Sequence, residues 1–377
     1  MPRSIGYIEI ARLLLIYGHA YLGRMQSTKR VLVIFLDGAT DDPIPLLNGK
    51  TPLQASNKPF IDSIASNGTM GCTMSRDYTH FYLLELFTGV KAEIPRGVIE
   101  AYGMELPLDD RRVAYRMSPA KIENGKAEWY YKISCQDEMN LQKAVLKSRD
   151  KIREMDPKVY FYNGGKAVMT VKGTEVLNLP KPPAPADVQP HDLGDFGPFA
   201  ESIADMMGGI TLLPWGGGSG KEAESFRKSV RPIPPMTMIS KSPSALGVAA
   251  FLNIKRERVA GFKQGIKLAK DLIKKEDVFL HIEETDDISH KRSPREKVEI
   301  IEAIDKELNR HVKDFSQCRL VLLVDHGASS LSGDHIRMEV PYAISDKLTP
   351  FGTSRSYAEN GWERSELPQL LEQIYRF

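Results

Sequence analysis

The chain has 377 residues, more than one compact core usually holds, so two lobes are expected, one inserted in the other. Its 51 Lys and Arg offset 49 Asp and Glu to a formal charge of +2, which excludes a global field for nucleic acid or an acidic membrane surface and requires any anionic ligand to be held locally. Cys72, Cys135 and Cys318 form neither a CxxC pair nor an even-numbered framework, which fits a reducing, cytoplasmic setting.

Residues 1–24 read as an N-terminal extension. Ile5 to Leu22 is largely apolar but is broken by Glu9, Arg12 and His19, so it is neither the run of about 20 apolar residues that a membrane span needs nor a clean secretory signal. A peripheral helix, or an extension upstream of a start at Met25, is expected. The run Val31 to Leu36 reads as a strand buried on both faces and ends abruptly at Asp37-Gly38. Lys58 to Ser66 repeats its apolar residues at three and four, the period of a helix.

From about Arg111 to Lys172 the texture changes. Val113–Arg116, Glu128–Lys132, Val159–Tyr162 and Ala167–Val171 alternate around a charged helix near Met139 to Met155, which predicts a separate α+β lobe. The Pro-rich stretch 180–187 follows as a stiff spacer. Trp215 to Lys221 looks like a phosphate-binding P-loop but has Glu222 where that motif needs Ser or Thr, so it reads as a turn. Lys255 to Arg258 is mixed in sign and reads as a solvated helix end. Asp277 to Asp286 and Arg319 to His326 repeat the form of the first strand, with a helical pattern at Lys297 to Lys313 between them. Strands alternating with helices point to an α/β core, assigned to residues 25–110 and 180–377, with residues 111–179 inserted as a cap.

Function in such sheets collects at the C-terminal ends of strands. Three buried strands lead to Asp37, Asp286 and Asp325; His290 follows Asp286 by four residues, His326 is next to Asp325, and His335 lies just beyond. An Asp-His pair alone is most often a turn, and polar strand ends also cap helices. Three carboxylates and three imidazoles in these places make a metal site instead, of a mixed oxygen and nitrogen kind that suits Zn, Mn or Fe. Two such ions, roughly 3.5–4 Å apart, clamp the attacking and leaving oxygens of phosphoryl transfer.

Phe35–Asp62, Pro95–Gly103, Val113–Arg116, His281 through His290, Val324–His326, and His335 followed by Glu339–Tyr342 resemble the archaeal-type cofactor-independent (2,3-bisphosphoglycerate-independent) phosphoglycerate mutases of the alkaline phosphatase superfamily. The likeness spans most of residues 30–345. It implies an alkaline-phosphatase-like core with a mainly parallel sheet flanked by helices, and a smaller α+β cap that closes over the site. It also implies two divalent metal ions, Mn or Zn, and a small phosphorylated substrate, with no nucleic acid and no membrane span. One ion would be bound by Asp286, His290 and His335, the other by Asp37, Asp325 and His326. A serine beside the second ion takes the phosphoryl group in that family.

Here the sequence departs from the family. The stretch Met74 to His80 places Arg76 where the serine belongs, which would mean that the nucleophile is lost. Thr79, followed nine residues later by Thr88-Gly89, has a spacing similar to the threonine segment of the superfamily's nucleotide pyrophosphatases and phosphodiesterases, and is the nucleophile expected. Ser75 is a third candidate, and a helix N-cap is the ordinary alternative for Thr79. Trp215 stands at a family arginine, and Pro243 to Ala250 has no cation where the family has one, so the contacts to a phosphorylated three-carbon acid are depleted. Arg96, Arg116 and His191 remain as substrate contacts. Three functions follow: a mutase with rearranged anion contacts, a phosphatase or phosphodiesterase on another substrate, or a non-catalytic metal-binding homologue.

Overall fold

A computed structural model describes residues 29–109, 111–124, 126–173, 176–177, 186–187, 190–230, 233–348, 355–359 and 361–375. The N-terminal extension and most of the Pro-rich stretch lie outside these. The chain divides into two compact units, Met1–Ala92 with Arg231–Phe377, and Glu93–Val230.

The first unit is built on a seven-stranded sheet. Its strands are β1 (Val31–Leu36), β2 (Thr69–Met74), β3 (Met236–Ser240), β4 (Lys255–Arg258), β5 (Asp277–Ile282), β6 (Arg319–Leu323) and β7 (Glu339–Ser345). Their spatial order is β4-β3-β5-β1-β6-β7-β2. Every pairing from β4 to β6 is parallel, while β7 is antiparallel to both β6 and β2. Continuous burial of β1, β5 and β6 explains why their sequences do not alternate: helices cover both faces of a parallel sheet. This is the α/β architecture expected.

Register decides where the chemistry collects. Leu36 pairs with Ile282 and Phe35 with Leu323, so β5, β1 and β6 end at one edge. The Asp37 amide extends the ladder, donating to Ile282 O at 3.0 Å. Two antiparallel steps make β2 run the same way as β6, so Met74 also ends at this edge and the chain passes directly into helix α1 (Thr79–Thr88). After β5 come α2 (Glu284–Ser289) and α3 (Pro294–Asn309). Thus Asp286 sits on a short helix beyond its strand. The helix read at Lys297 to Lys313 starts earlier, with proline in its first turn, and stops at Asn309.

Lys255 to Arg258 is a strand, not a helix end. It is the edge strand β4, paired with β3 on one side only, and charge on such an edge discourages pairing with another chain.

In the second unit, Lys158–Tyr162, Lys166–Lys172, Arg112–Glu123, Lys126–Trp129 and Ala186–Asp187 form a sheet in that order, and Ile210–Ser219 also pairs antiparallel with Arg112–Glu123. Helices Cys135–Ser148 and Gly197–Met206 contribute Leu141, Val145, Phe199 and Ile203 to its core, beside Tyr115, Met117 and Leu213. The lobe expected at 111–179 falls inside this unit.

Trp215 to Lys221, read as a turn, runs along a ten-residue strand into a helix. Its glycines serve close packing: a Cβ at Gly217 would lie 2.3 Å from the Tyr115 ring, and one at Gly218 2.6 Å from Pro95. Among the described residues no helix is long and apolar enough to cross a membrane, and all three cysteines are free.

Candidate functional site

The edge where β1, β5, β6 and β2 end brings all six sequence-read ligands together. Asp37 Oδ1 accepts a hydrogen bond from Thr79 Oγ1 at 3.1 Å and lies 3.2 Å from His326 Nε2. Asp37 Oδ2 lies 3.2 Å from His281 Nε2. Asp325 Oδ1 accepts from the Gly38 amide at 3.1 Å, and its Oδ2 is 3.5 Å from His326 Nε2. Asp286 Oδ2 lies 3.2 Å from His290 Nε2 and its Oδ1 3.6 Å from His335 Nε2. The His326 and His335 rings stack with centroids 4.0 Å apart.

Two trios have ligand atoms within 4.8 Å of one another: Asp286 with His290 and His335, and Asp37 with Asp286 and His326. Asp286 therefore reaches both, whereas Asp325 belongs to neither, although its Oδ2 faces the same His326 nitrogen as Asp37 does. The close approach of Asp286 depends on Gly38, whose φ of +60° closes the turn after β1. A Cβ there would sit 2.8 Å from Asp286 Oδ1.

The three histidines share one orientation. His290 Nδ1 is 2.7 Å from Gly333 O, His335 Nδ1 2.8 Å from Asp77 O, and His326 Nδ1 3.2 Å from Gly327 O. A carbonyl only accepts, so in the neutral ring each Nδ1 carries the proton and each Nε2 turns its lone pair toward the carboxylates. Metal-ligating histidines are held in this way.

The carboxylates and imidazoles shift one another. Burial would raise the Asp37 carboxyl, but His281 and His326 outweigh it and hold it well below the usual range. Burial likewise opposes Asp286, which His290, His335 and His326 pull down. Asp325 is pushed up by burial and by the Asp37 charge. Burial would lower His326, yet Asp325, Asp37 and Asp286 drive it up to about 10, while burial and His326 push His335 down to about 3. Of the buried atoms, Asp286 Oδ1, Asp325 Oδ2, His326 Nε2 and His281 Nε2 have no well-formed hydrogen bond. Such groups are costly to bury alone, and borderline or hard divalent cations suit this donor set.

The three nucleophile candidates point differently. Ser75 Oγ accepts from the Met338 amide at 2.9 Å. Arg76 turns to the buried Glu85, with Nε donating to Oε2 at 2.6 Å. Thr79 alone of the three donates to Asp37. It is not an N-cap: Tyr78 holds that position, and Thr79 is the first residue of α1.

The expected substrate contacts lie in the second unit. Arg96 Nε donates to Glu100 Oε1 at 2.8 Å, Arg116 pairs with the same oxygen, and Tyr162 donates to Oε2 at 2.6 Å. Trp215, where the resemblance leads one to expect an arginine, packs beneath both guanidinium groups at 5.8 and 5.9 Å and donates to Ser118 Oγ. His191 has no described side chain.

Sequence reading missed three groups. His281 is a polar residue within a buried strand, and its ring stacks on Phe35. Lys241, just before the segment read as lacking a cation, lies 2.5 Å from Asp287 Oδ2. Lys297 is fully buried, an anomaly visible only as a lysine on the apolar stripe of a helix.

Residues 235–362 match the Metalloenzyme superfamily and contain five of the six candidate ligands. The chain is 26% identical to the 2,3-bisphosphoglycerate-independent phosphoglycerate mutase 2 of Methanocaldococcus jannaschii, over 92% of this chain and 93% of that one. A solved structure from Pyrococcus horikoshii matches with a TM-score of 0.66 at 19% identity, covering 92% of this chain and 97% of that one. The cofactor-independent phosphoglycerate mutase of Thermoplasma acidophilum matches with a TM-score of 0.52 at 20% identity, covering 92% and 99%. The resemblance read from the motifs therefore extends along nearly the whole chain.

Proposed function

We propose that the protein is a two-metal phosphoryl-transfer enzyme that works through a covalent phosphothreonine at Thr79. The observation that carries this reading is the Thr79 hydroxyl, buried and donating to Asp37 Oδ1 at 3.1 Å beside His326. Asp286, His290 and His335 would hold one ion; Asp37 and His326, with Asp325 or Asp286, the other. Bound divalent ions, Mn or Zn, would lower the pKa of the Thr79 hydroxyl and offset charge on the phosphoryl group.

Thr79 Oγ1 forms the new bond to phosphorus as the bond to the substrate's leaving oxygen breaks, and Asp37 lies on the path of the hydroxyl proton. The first amides of the ten-residue α1 favour the phosphate dianion next to Thr79. The phosphoryl group then passes to an acceptor hydroxyl, which gives a mutase, or to water, which gives a phosphatase. Within the second unit we keep Arg96 and Arg116 as anion contacts; Arg116 Nε is buried and has no hydrogen-bond partner among the described residues.

The phosphatase reading draws on the spacing from Thr79 to Thr88-Gly89, which is similar to that of the superfamily's phosphodiesterases, and on the lack of a cation from Pro243 to Ala250. Incubation of Mn-loaded protein with 3-phosphoglycerate and with a panel of phosphomonoesters and diesters separates the readings by product. Thr79→Ala is expected to lose about 10³-fold or more in turnover and the phosphoprotein seen by intact mass, while keeping its metal. Unchanged turnover in that variant would sink the role of Thr79, and a panel left wholly untouched would favour the non-catalytic homologue.

A further inference from the structure

Lys297 is a charged side chain with no exposure, a costly arrangement that a methionine of similar length would avoid. All its partners belong to the two segments that carry Asp37 and His326. Its ammonium donates to Thr40 O at 3.0 Å, to Ala328 O at 2.6 Å and to Asp41 Oδ2 at 3.3 Å. Thr40 is three residues past Asp37, and Ala328 two past His326.

The same two segments are tied again around it. Thr40 Oγ1 donates to His326 O at 2.9 Å, the Ala328 amide to Thr40 O at 2.9 Å, and the Ser330 amide to Asp41 Oδ2 at 2.9 Å. Asp41 itself is steadied by its amide, which donates to Glu359 Oε1 at 3.1 Å. Burial acts to lower the lysine's pKa, and Asp41, Asp286 and Glu359 work against it.

We infer that Lys297 is a positioning residue for the ion-binding centre: its ammonium clamps the turn after β1 to the turn after β6 and so sets the spacing between Asp37 and His326. This rests on the functional reading above. The clamp uses charge and hydrogen bonding rather than bulk: with a methyl group in its place Ala328 O would lose the ammonium, and Thr40 O would keep only the Ala328 amide as donor.

The test is Mn²⁺ affinity of chelator-stripped full-length protein, by titration of free Mn²⁺, with near-UV circular dichroism to certify folding. Lys297→Met is expected to keep the spectrum and to bind Mn²⁺ about 10–100-fold more weakly, as supporting groups behind metal ligands commonly require. Lys297→Ala should regain affinity with added propylamine but not with propanol, a distinction that a purely packing role would not show. If these variants fail to fold, Asp41→Asn carries the test, with a several-fold loss expected. A folded Lys297→Met with wild-type affinity, equal rescue by propanol, or an unaltered Asp41→Asn would each overturn the proposal while leaving the functional reading intact. Wild-type protein that takes up no Mn²⁺ would overturn both.

Discussion

Glu100 holds together one side of the second unit. Its carboxylate is buried and takes Arg96, Arg116 and Tyr162 at once, and although burial would raise its pKa, Arg116 and Arg96 bring it down to about 2. A carboxyl depressed in the folded state adds stability that is fully present above its unfolded value near 4.5 and is lost as pH falls toward about 2. The shift corresponds to something on the order of 3 kcal/mol. Acid unfolding of wild type and Glu100→Gln should therefore diverge above pH 5 and converge near pH 2, and parallel curves would remove this role. Thr79 illustrates the same scale at the metal edge: one hydroxyl, aimed by its place at the start of a helix, separates a candidate nucleophile from two side chains engaged elsewhere.

At the scale of elements, the strand endings do the positioning. The Asp-Gly step after β1 is legible in sequence because a continuous apolar run stops there. The need for glycine is sharper than a turn alone explains, since Gly38 combines a φ of +60° with the close approach of Asp286. Gly38→Ala should cost about 1–2 kcal/mol for the left-handed backbone, measured by urea unfolding, and should weaken Mn²⁺ binding through displacement of Asp286. Retained affinity would show that Asp286 tolerates the shift. Trp215 to Lys221 and Lys255 to Arg258 failed as local readings for one reason. A glycine-rich or charged run becomes a strand only when a distant partner, Arg112–Glu123 or β3, supplies its ladder, and local propensity carries no record of that partner.

At the scale of the molecule, the candidate ligands come from segments nearly three hundred residues apart, from Asp37 to His335, so an ion bound there would be linked to folding of the first unit. A ligand that binds only the native state at about 100 times its Kd adds about 2.7 kcal/mol. Stripping the ions with a chelator should lower the midpoint of thermal unfolding by several degrees, restored by Mn²⁺ or Zn²⁺, and His290→Ala should blunt that response. A midpoint indifferent to chelator and metal would argue against a resident ion.

The sequence by itself determined the α/β core and marked six candidate ligands, because buried parallel strands are written as unbroken apolar runs and their endings are marked by carboxylates and imidazoles. Only the tertiary structure decided that Asp286 reaches both trios, that Thr79 rather than Ser75 or Arg76 faces Asp37, that His281 lies against Asp37, and that Lys297 is buried between the turns after β1 and β6. Those outcomes depend on strand register and on the direction of single side chains, which are settled between segments far apart in the chain.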